Sequence, residues 1–258
     1  MITLRSRAEI EKIRASCAIV AEILDELAVN IRPGVTTWDL DAISEDLTAK
    51  KHARPAFKGY HGYPYALCAS VNEEVVHGMP SKKRRLKAGD IIGLDFGVVL
   101  DGYYGDAAIT VAVGAISEAA ARLCTVTEEC LYEGIAKAVS GNRLSDISHA
   151  IQEYVESRGY SVVRDFVGHG IGQNLHESPQ VPNYGSPGRG VRLKPGMVLA
   201  IEPMINAGRP EVEILEDEWT AVTLDGELSA HFEHTIAVTE NGPVILTGRK
   251  NQFTKLYG

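Results

Sequence analysis

The chain has 258 residues, 45% hydrophobic and 23% charged, the profile of a folded globular protein; intrinsic disorder and collagen-like architecture are excluded. Acids outnumber bases 34 to 26, a formal net charge of −8, so no phosphate-tracking surface and no nucleic-acid partner are expected. With no run of 18 apolar residues, no signal-peptide core in Met1-Ile2-Thr3-Leu4-Arg5 and no CxxC pair among Cys17, Cys68, Cys124 and Cys130, no membrane is expected and the setting reads as a reducing cytoplasm.

Along the chain, Ile10, Ile13, Cys17, Val20, Ile23, Leu24 and Leu27 recur at helical spacing and predict a helix from Glu9 to Val29, ended by Pro33-Gly34. Thr37 is the expected N-cap of a second helix running toward Lys50. Ile91 to Phe96 reads as a buried strand, and the Asp101-Gly102 turn signal pairs it with Tyr103 to Val113. Ala119 to Val139 and Ser145 to Ser157 repeat the helical pattern, and Val198 to Ile201 and His234 to Val238 read as further strands. Helices and strands are segregated within each half, which predicts an α+β class.

The recurrence keeps one offset. At 107 residues, Gly34-Val-Thr-Thr-Trp-Asp39-Leu40 aligns with Gly141-Asn-Arg-Leu-Ser-Asp146-Ile147, and the Lys87–Asp95 stretch aligns with Lys194–Glu202. Cys17, Glu22 and Leu24 meet Cys124, Glu129 and Leu131 at the same offset. Amphipathic helices resemble one another in any case, but a constant offset is harder to reach by chance. The expectation is one catalytic domain over residues 1–258, built from halves at about 9–110 and 116–240 around a pseudo-twofold axis, with a site between them.

Five residues stand at or beside the strands. Asp95 follows Ile91-Ile92-Gly93-Leu94, where an ionised carboxylate is costly unless paired or metal-bound, and its repeat mate is Glu202 after Val198-Leu199-Ala200-Ile201. Asp106 lies eleven residues beyond Asp95 across the turn; it is either a partner of Asp95 or a loop cap after Gly105. His169 sits in Gly168-His169-Gly170-Ile171-Gly172, where glycines let the backbone crowd an ion or substrate, or where a loop histidine simply satisfies itself. Glu233, in His231-Phe232-Glu233-His234, precedes a strand or marks an exposed polar edge. Four carboxylates cannot share a pocket without positive charge, because like charges force protonation. Two divalent cations would neutralise them, and mostly oxygen ligation with one imidazole suits cobalt, manganese, iron or zinc. Such ions activate water, which makes hydrolysis the natural reaction class. His77 and His176 remain as imidazoles that either hydrogen-bond a carbonyl oxygen or scissile amide, or lie on the surface.

Gly59-Tyr60-His61-Gly62-Tyr63-Pro64, Asn72-Glu73-Glu74-Val75-Val76-His77-Gly78, the Asp95/Asp106 hairpin, Gly168-His169-Gly170-Ile171-Gly172 with His176-Glu177, and Ile201-Glu202-Pro203 together resemble the type I methionine aminopeptidases almost end to end. The resemblance implies the pita-bread fold, two pseudo-twofold-related halves with a central curved antiparallel sheet and helices on the outer face. It implies removal of the initiator methionine from nascent proteins and peptides, with a small second residue preferred, by attack of a hydroxide activated between two metal ions per chain. The ligands would be Asp95, Asp106, His169, Glu202 and Glu233, with Asp106 and Glu233 bridging, Asp95 completing one ion, and His169 with Glu202 the other. Glu202 would also take the water's proton, His77 would contact the substrate amide and steady the tetrahedral intermediate, and His176 would hydrogen-bond near the scissile bond. Phe57, Tyr60, Tyr63, Cys68, Leu175 and Trp219 would line the methionine pocket, an apolar, aromatic and sulfur-containing surface suited to a thioether; relatives often have cysteine at Phe57 and a bulkier aromatic at Leu175. A monovalent cation would sit on backbone oxygens near Asn72 and Ser229. The implied partners are nascent polypeptide N-termini at the ribosome, and the implied state is a monomer in the cytoplasm.

Three rivals share the fold. A proline-directed peptidase (aminopeptidase P or prolidase) is expected to carry an extra N-terminal domain, for which a first repeat starting near Glu9 leaves no room. A creatinase-like hydrolase lacks the metal set, and a non-catalytic peptide-binding relative is expected to have lost ligands.

Overall fold

Helix α1 (Arg7–Asn30) starts where the sequence supplies a capping box. The Ser6 hydroxyl accepts from the Glu9 N–H at 3.3 Å, and the Glu9 carboxylate accepts from the Ser6 N–H at 2.9 Å. The buried face carries Ile13, Cys17, Val20, Leu24 and Leu27. Helix α2 (Thr37–Lys50) is capped by Thr36, one residue before the expected Thr37. Thr36 has the extended backbone (φ −93, ψ 155) that leaves its hydroxyl free to accept from the Asp39 N–H at 3.1 Å, whereas Thr37 has already entered the helix. The computed structural model describes residues 2–249; Met1 and residues 250–258 of the expected 1–258 domain lie outside the described residues.

Short strands β1 (Arg54–Pro55), β2 (Leu67–Val71) and β3 (Glu74–Val76) follow, with a 3-10 turn at Tyr60–Gly62. The long hairpin comes next, β4 (Ile91–Leu100) and β5 (Tyr103–Ala112). Asp101 and Gly102 both have positive φ, 50 and 78, the mirror-image turn that matches strand twist. Strand β4 runs four residues past the expected Phe96, because pairing continues to Leu100 opposite Tyr103; Asp95 is therefore mid-strand rather than at a strand end.

Helix α3 (Glu118–Ala136) stops short of the expected Val139, as the Lys137 and Ala138 N–H groups bond the Gly134 and Ile135 carbonyls three residues back and the chain swings so that the Gly141 N–H meets the Leu193 carbonyl. Helix α4 (Leu144–Glu156) precedes β6 (Ser161–Val162), β7 (Gly168–Gly170), β8 (Glu177–Val181) and β9 (Val198–Ile201). The remaining strands are β10 (Met204–Asn206), β11 (Val212–Ile214), β12 (Ala221–Thr223), β13 (Ser229–His231), β14 (Glu233–Thr239) and β15 (Gly242–Ile245).

Nine strands form the main sheet in the order β1-β4-β5-β14-β9-β7-β8, with β2 also on β4 and β15 also on β14. Every pairing in it is antiparallel. Strands β13, β10 and β6 form one small sheet, and β11, β12 and β3 another. Helix α1 presses so closely on β5 that a side chain at Gly105 would enter the Cys17 backbone. Gly105 and Asp106 alternate, so the helix lies on one face of the hairpin and the Asp106 carboxylate on the other. Between helix and sheet, Leu24, Leu27, Leu94 and Phe96 are fully buried, each stabilising the fold by roughly 1.5–3 kcal/mol. The offset of 107 residues recurs in hydrogen bonds. The Gly34 N–H donates to the Leu86 carbonyl at 2.8 Å as Gly141 does to Leu193 at 3.0 Å, and Arg85 reaches the Gly34 carbonyl at 2.9 Å as Arg192 reaches Gly141 at 2.7 Å. No described helix is long and apolar enough to cross a membrane.

Candidate metal centre and adjoining pocket

Strand register assembles the centre. Asp95 pairs with Ala108 and Asp106 with Gly97, which sets the two carboxylates diagonally on one face of the hairpin. On its other side Ala108 faces Glu233. His234 faces Ile201, which brings Glu202 beside Glu233, and His169 pairs with Ala200 two residues before Glu202. Alternation along β4, β5, β7 and β14, with Glu202 one residue past the end of β9, thus turns five residues, up to 138 positions apart in sequence, toward one space. The positions between them are small: Gly97, Ala108 and Ala200. A methyl group at Gly97 would lie 3.2 Å from Asp106 Oδ1 and 2.9 Å from the Phe57 ring, so glycine is what leaves that carboxylate room. Asp106 is buried inside β5 and Glu233 is buried at the start of β14, so neither is a loop cap or an exposed edge. The glycines beside His169 serve strand packing: side chains there would meet the carbonyls of Ala200 and Ser178, which corrects the expectation that this backbone crowds an ion or substrate.

Potential ligand atoms of Asp106, His169 and Glu233, one from each, lie within 4.8 Å of one another. His169 Nε2 is 3.5 Å from Glu202 Oε1 and 4.0 Å from Asp106 Oδ2. His169 Nδ1 is 2.9 Å from the Gly170 carbonyl, which assigns the ring proton to Nδ1 and turns the Nε2 lone pair toward the carboxylates. Buried oxygens Asp95 Oδ1, Asp106 Oδ1 and Glu233 Oε1 have no hydrogen-bond partner. Buried acceptors left this way are destabilising unless something positive meets them. Burial pushes Asp95 up to about 7 and Glu202 up to about 8. Burial first, then neighbouring carboxylates, drive Asp106 and Glu233 well up. Burial holds His169 down at about 3, the neutral form that ligates metals. Orphaned oxygens, mutual repulsion and a neutral imidazole together fit divalent cations.

A cavity of about 230 Å³ adjoins the cluster and is walled by all five of these residues, by His77 and His176, and by Phe57, Tyr60, Tyr63, Cys68, Leu175 and Trp219. Every residue singled out in the sequence for chemistry or for the pocket therefore borders one space. Tyr63 is locked by its hydroxyl, which donates to the Leu67 and Gly78 carbonyls at 3.0 and 3.2 Å, and its ring meets Trp219 edge-on at 5.0 Å. Burial keeps the Cys68 thiol protonated. His77 has a left-handed backbone (φ 60), a conformation that costs about 1–3 kcal/mol and recurs at functional sites. Its half-buried ring meets Phe166 edge-on at 5.3 Å, and burial lowers its pKa to about 4, so it is a neutral donor. His176 is exposed at the mouth, with its Nδ1 2.9 Å from the Tyr60 hydroxyl and its ring 4.3 Å from that of His169.

A second cavity of about 520 Å³ shares His77, Asp95, His169, His176 and Glu202 and extends toward Phe166, Gln180 and Met204. Three of the residues around the centre had no sequence assignment. His61 joins the first cavity, Phe166 the second, and His231 places a buried, unpartnered Nε2 3.7 Å from Glu202 Oε2. His231 was within reach, two residues before Glu233 in an extended run; Phe166 lies in a loop that has no period to read.

The profile of metallopeptidase family M24 matches residues 11–240. The chain is 57% identical over 247 residues to the methionine aminopeptidase of Clostridium acetobutylicum, spanning 96% of this chain and 99% of that one. A crystal structure of methionine aminopeptidase from Thermotoga maritima matches with a TM-score of 0.95 at 52% identity, over 96% of this chain and 100% of that one. A prolidase from Pyrococcus horikoshii shares the fold at a TM-score of 0.79 and 23% identity, with 96% of this chain covering 64% of that one. The common architecture is the pita-bread fold, a curled antiparallel sheet backed by helices.

Proposed function

The chain belongs to metallopeptidase family M24, and from that premise we propose that it is a methionyl aminopeptidase, a metal-dependent hydrolase that removes the initiator methionine from nascent proteins and peptides. One observation carries the reading: the carboxylate–imidazole cluster and an apolar, aromatic pocket wall the same cavity. Asp95, Asp106, His169, Glu202 and Glu233 would hold the divalent ions, two per chain, drawn from cobalt, manganese, iron or zinc. Bound there, the ions supply positive charge that lets the carboxylates ionise and a water acidic enough to yield hydroxide at neutral pH.

The chain's own groups do the rest. Phe57, Tyr60, Tyr63, Cys68, Leu175 and Trp219 take the methionine side chain, which fixes the scissile bond at the cluster. His77, neutral, donates a ring N–H to the carbonyl oxygen as charge develops on it. His176, set by the Tyr60 hydroxyl, hydrogen-bonds the substrate beside the scissile bond. Glu202 accepts the proton of the attacking water and returns it to the leaving amine. The second cavity takes the following residues, with a small second residue preferred. A monovalent cation would be held by backbone oxygens near Asn72 and Ser229, segments joined by a 2.9 Å bond from the Ser229 N–H to the Asn72 carbonyl. The working partners are nascent N-termini at the ribosome, met by a monomer in the cytoplasm.

The test is metal-stripped protein given Met-Ala-Ser, Ala-Ala-Ser or a proline-containing dipeptide, with each divalent ion added back. Methionine released from Met-Ala-Ser, only with metal, is expected. Preferential cleavage of the proline dipeptide would overturn the reading in favour of a proline-directed peptidase.

A further inference from the structure

Arg5 is a buried charge far from the metal cluster in sequence, yet it is tied to the loop that lines the pocket. Its side chain is 5% exposed. Its backbone N–H donates to the Gly196 carbonyl at 2.7 Å, its Nη1 lies 3.5 Å from Glu9 Oε1, and its Nη2 donates to both oxygens of Glu177 at 2.6 and 2.5 Å. Glu177 Oε1 also accepts the N–H groups of Gln173 and Asn174 at 2.9 and 3.0 Å. One carboxylate therefore closes the turn between β7 and β8, and one guanidinium neutralises it. Gly172 is part of the same fit: a side chain there would occupy the space of the Arg5 guanidinium, while its carbonyl accepts from the Tyr104 N–H at 2.8 Å on β5. The loop so held presents Leu175 and His176 to the pocket.

We propose that Arg5 and Glu177 are a positioning pair that holds the 172–177 loop, and with it Leu175 and His176, in register with the cluster, so that the N-terminal arm frames the active site. A buried ion pair adds little net stability over an apolar replacement, whereas its directional hydrogen bonds fix geometry. The inference rests on the aminopeptidase reading for its kinetic consequence, and on hydrogen bonding alone for its structural one.

The experiment compares metal-loaded parent, Arg5→Met, Arg5→Lys, Glu177→Gln and the Arg5→Met/Glu177→Gln double variant. Three quantities are measured: amide exchange at Gln173 and Asn174, kcat and KM on Met-Ala-Ser, and thermal midpoint. Arg5→Met is expected to speed exchange at both amides by about tenfold or more and to lower kcat/KM by a similar factor. Arg5→Lys should recover part of both, and the double variant should be no worse than the poorer single one. Parent-like exchange and kcat/KM in folded Arg5→Met overturn the proposal. So does a kcat/KM loss matched by Ile151→Val, a core change where α4 packs on Gly134 of α3. If Arg5→Met does not fold, Glu177→Gln decides, and parent-like values there overturn the proposal. A parent inactive on Met-Ala-Ser would sink the aminopeptidase reading, and the exchange rates would still judge the clamp.

Discussion

Removing the divalent ions should cost the protein more stability the higher the pH. Burial lifts Asp95 from 3.8 to about 7 and Glu202 from 4.5 to about 8, and lifts Asp106 and Glu233 in the same direction. A carboxylate whose folded pKa is raised binds its proton more tightly in the folded state. Its favourable contribution is complete below the unfolded value near 4 and is lost as pH climbs through 7 to 8. At about 1.4 kcal/mol per unit, Asp95 or Glu202 acting alone would withdraw on the order of 4 kcal/mol; in one shared site the combined loss is less than the sum. For a chain of this length 1 kcal/mol moves the midpoint by about 2–4 °C, so the effect is on the order of 10 °C. Scanning calorimetry of chelated and manganese-loaded protein at pH 5 and pH 8.5 measures it, and the difference between the two forms cancels titrations elsewhere in the chain. The gap between loaded and chelated midpoints should widen toward pH 8.5, and Glu202→Gln should flatten the chelated protein's decline. A gap that stays constant or narrows would refute the reasoning.

Glu202→Gln should lower kcat by about 10²- to 10⁴-fold on Met-Ala-Ser while a substrate-like peptide still binds, a pattern that titration calorimetry beside the turnover assay would show. His77→Ala should lower kcat by about 10²- to 10³-fold through loss of the donor to the developing oxyanion, with metal content by elemental analysis unchanged. Gly97→Ala should destabilise the fold by about 1–3 kcal/mol and weaken metal affinity, because the added methyl presses on Phe57 and Asp106 Oδ1; denaturant unfolding with a metal titration checks both.

What the sequence determined by itself was the chemistry and its approximate place. The Asp101-Gly102 turn specified the hairpin that carries Asp95 and Asp106, because few dipeptides accept two positive φ angles. The offset of 107 residues sets Asp95 against Glu202 in the sequence, and the same spacing separates the Gly34–Leu86 bond from the Gly141–Leu193 bond. Four carboxylates in one pocket repel one another as ions, which is why their number alone points to divalent cations. Tertiary structure decided the rest. A period of two says which side of a strand a residue occupies, not which strand lies beside it, so only pairing places Gly97, Ala108 and Ala200 between the clustered carboxylates and imidazole. Phe166 and the loop carrying Leu175 belong to aperiodic segments, and their places follow from contacts with His77 and from the Arg5–Glu177 pair. Arg5 and Glu177 are 172 residues apart, and no local pattern could join them, because a buried charge finds its partner through the folded chain rather than along the sequence.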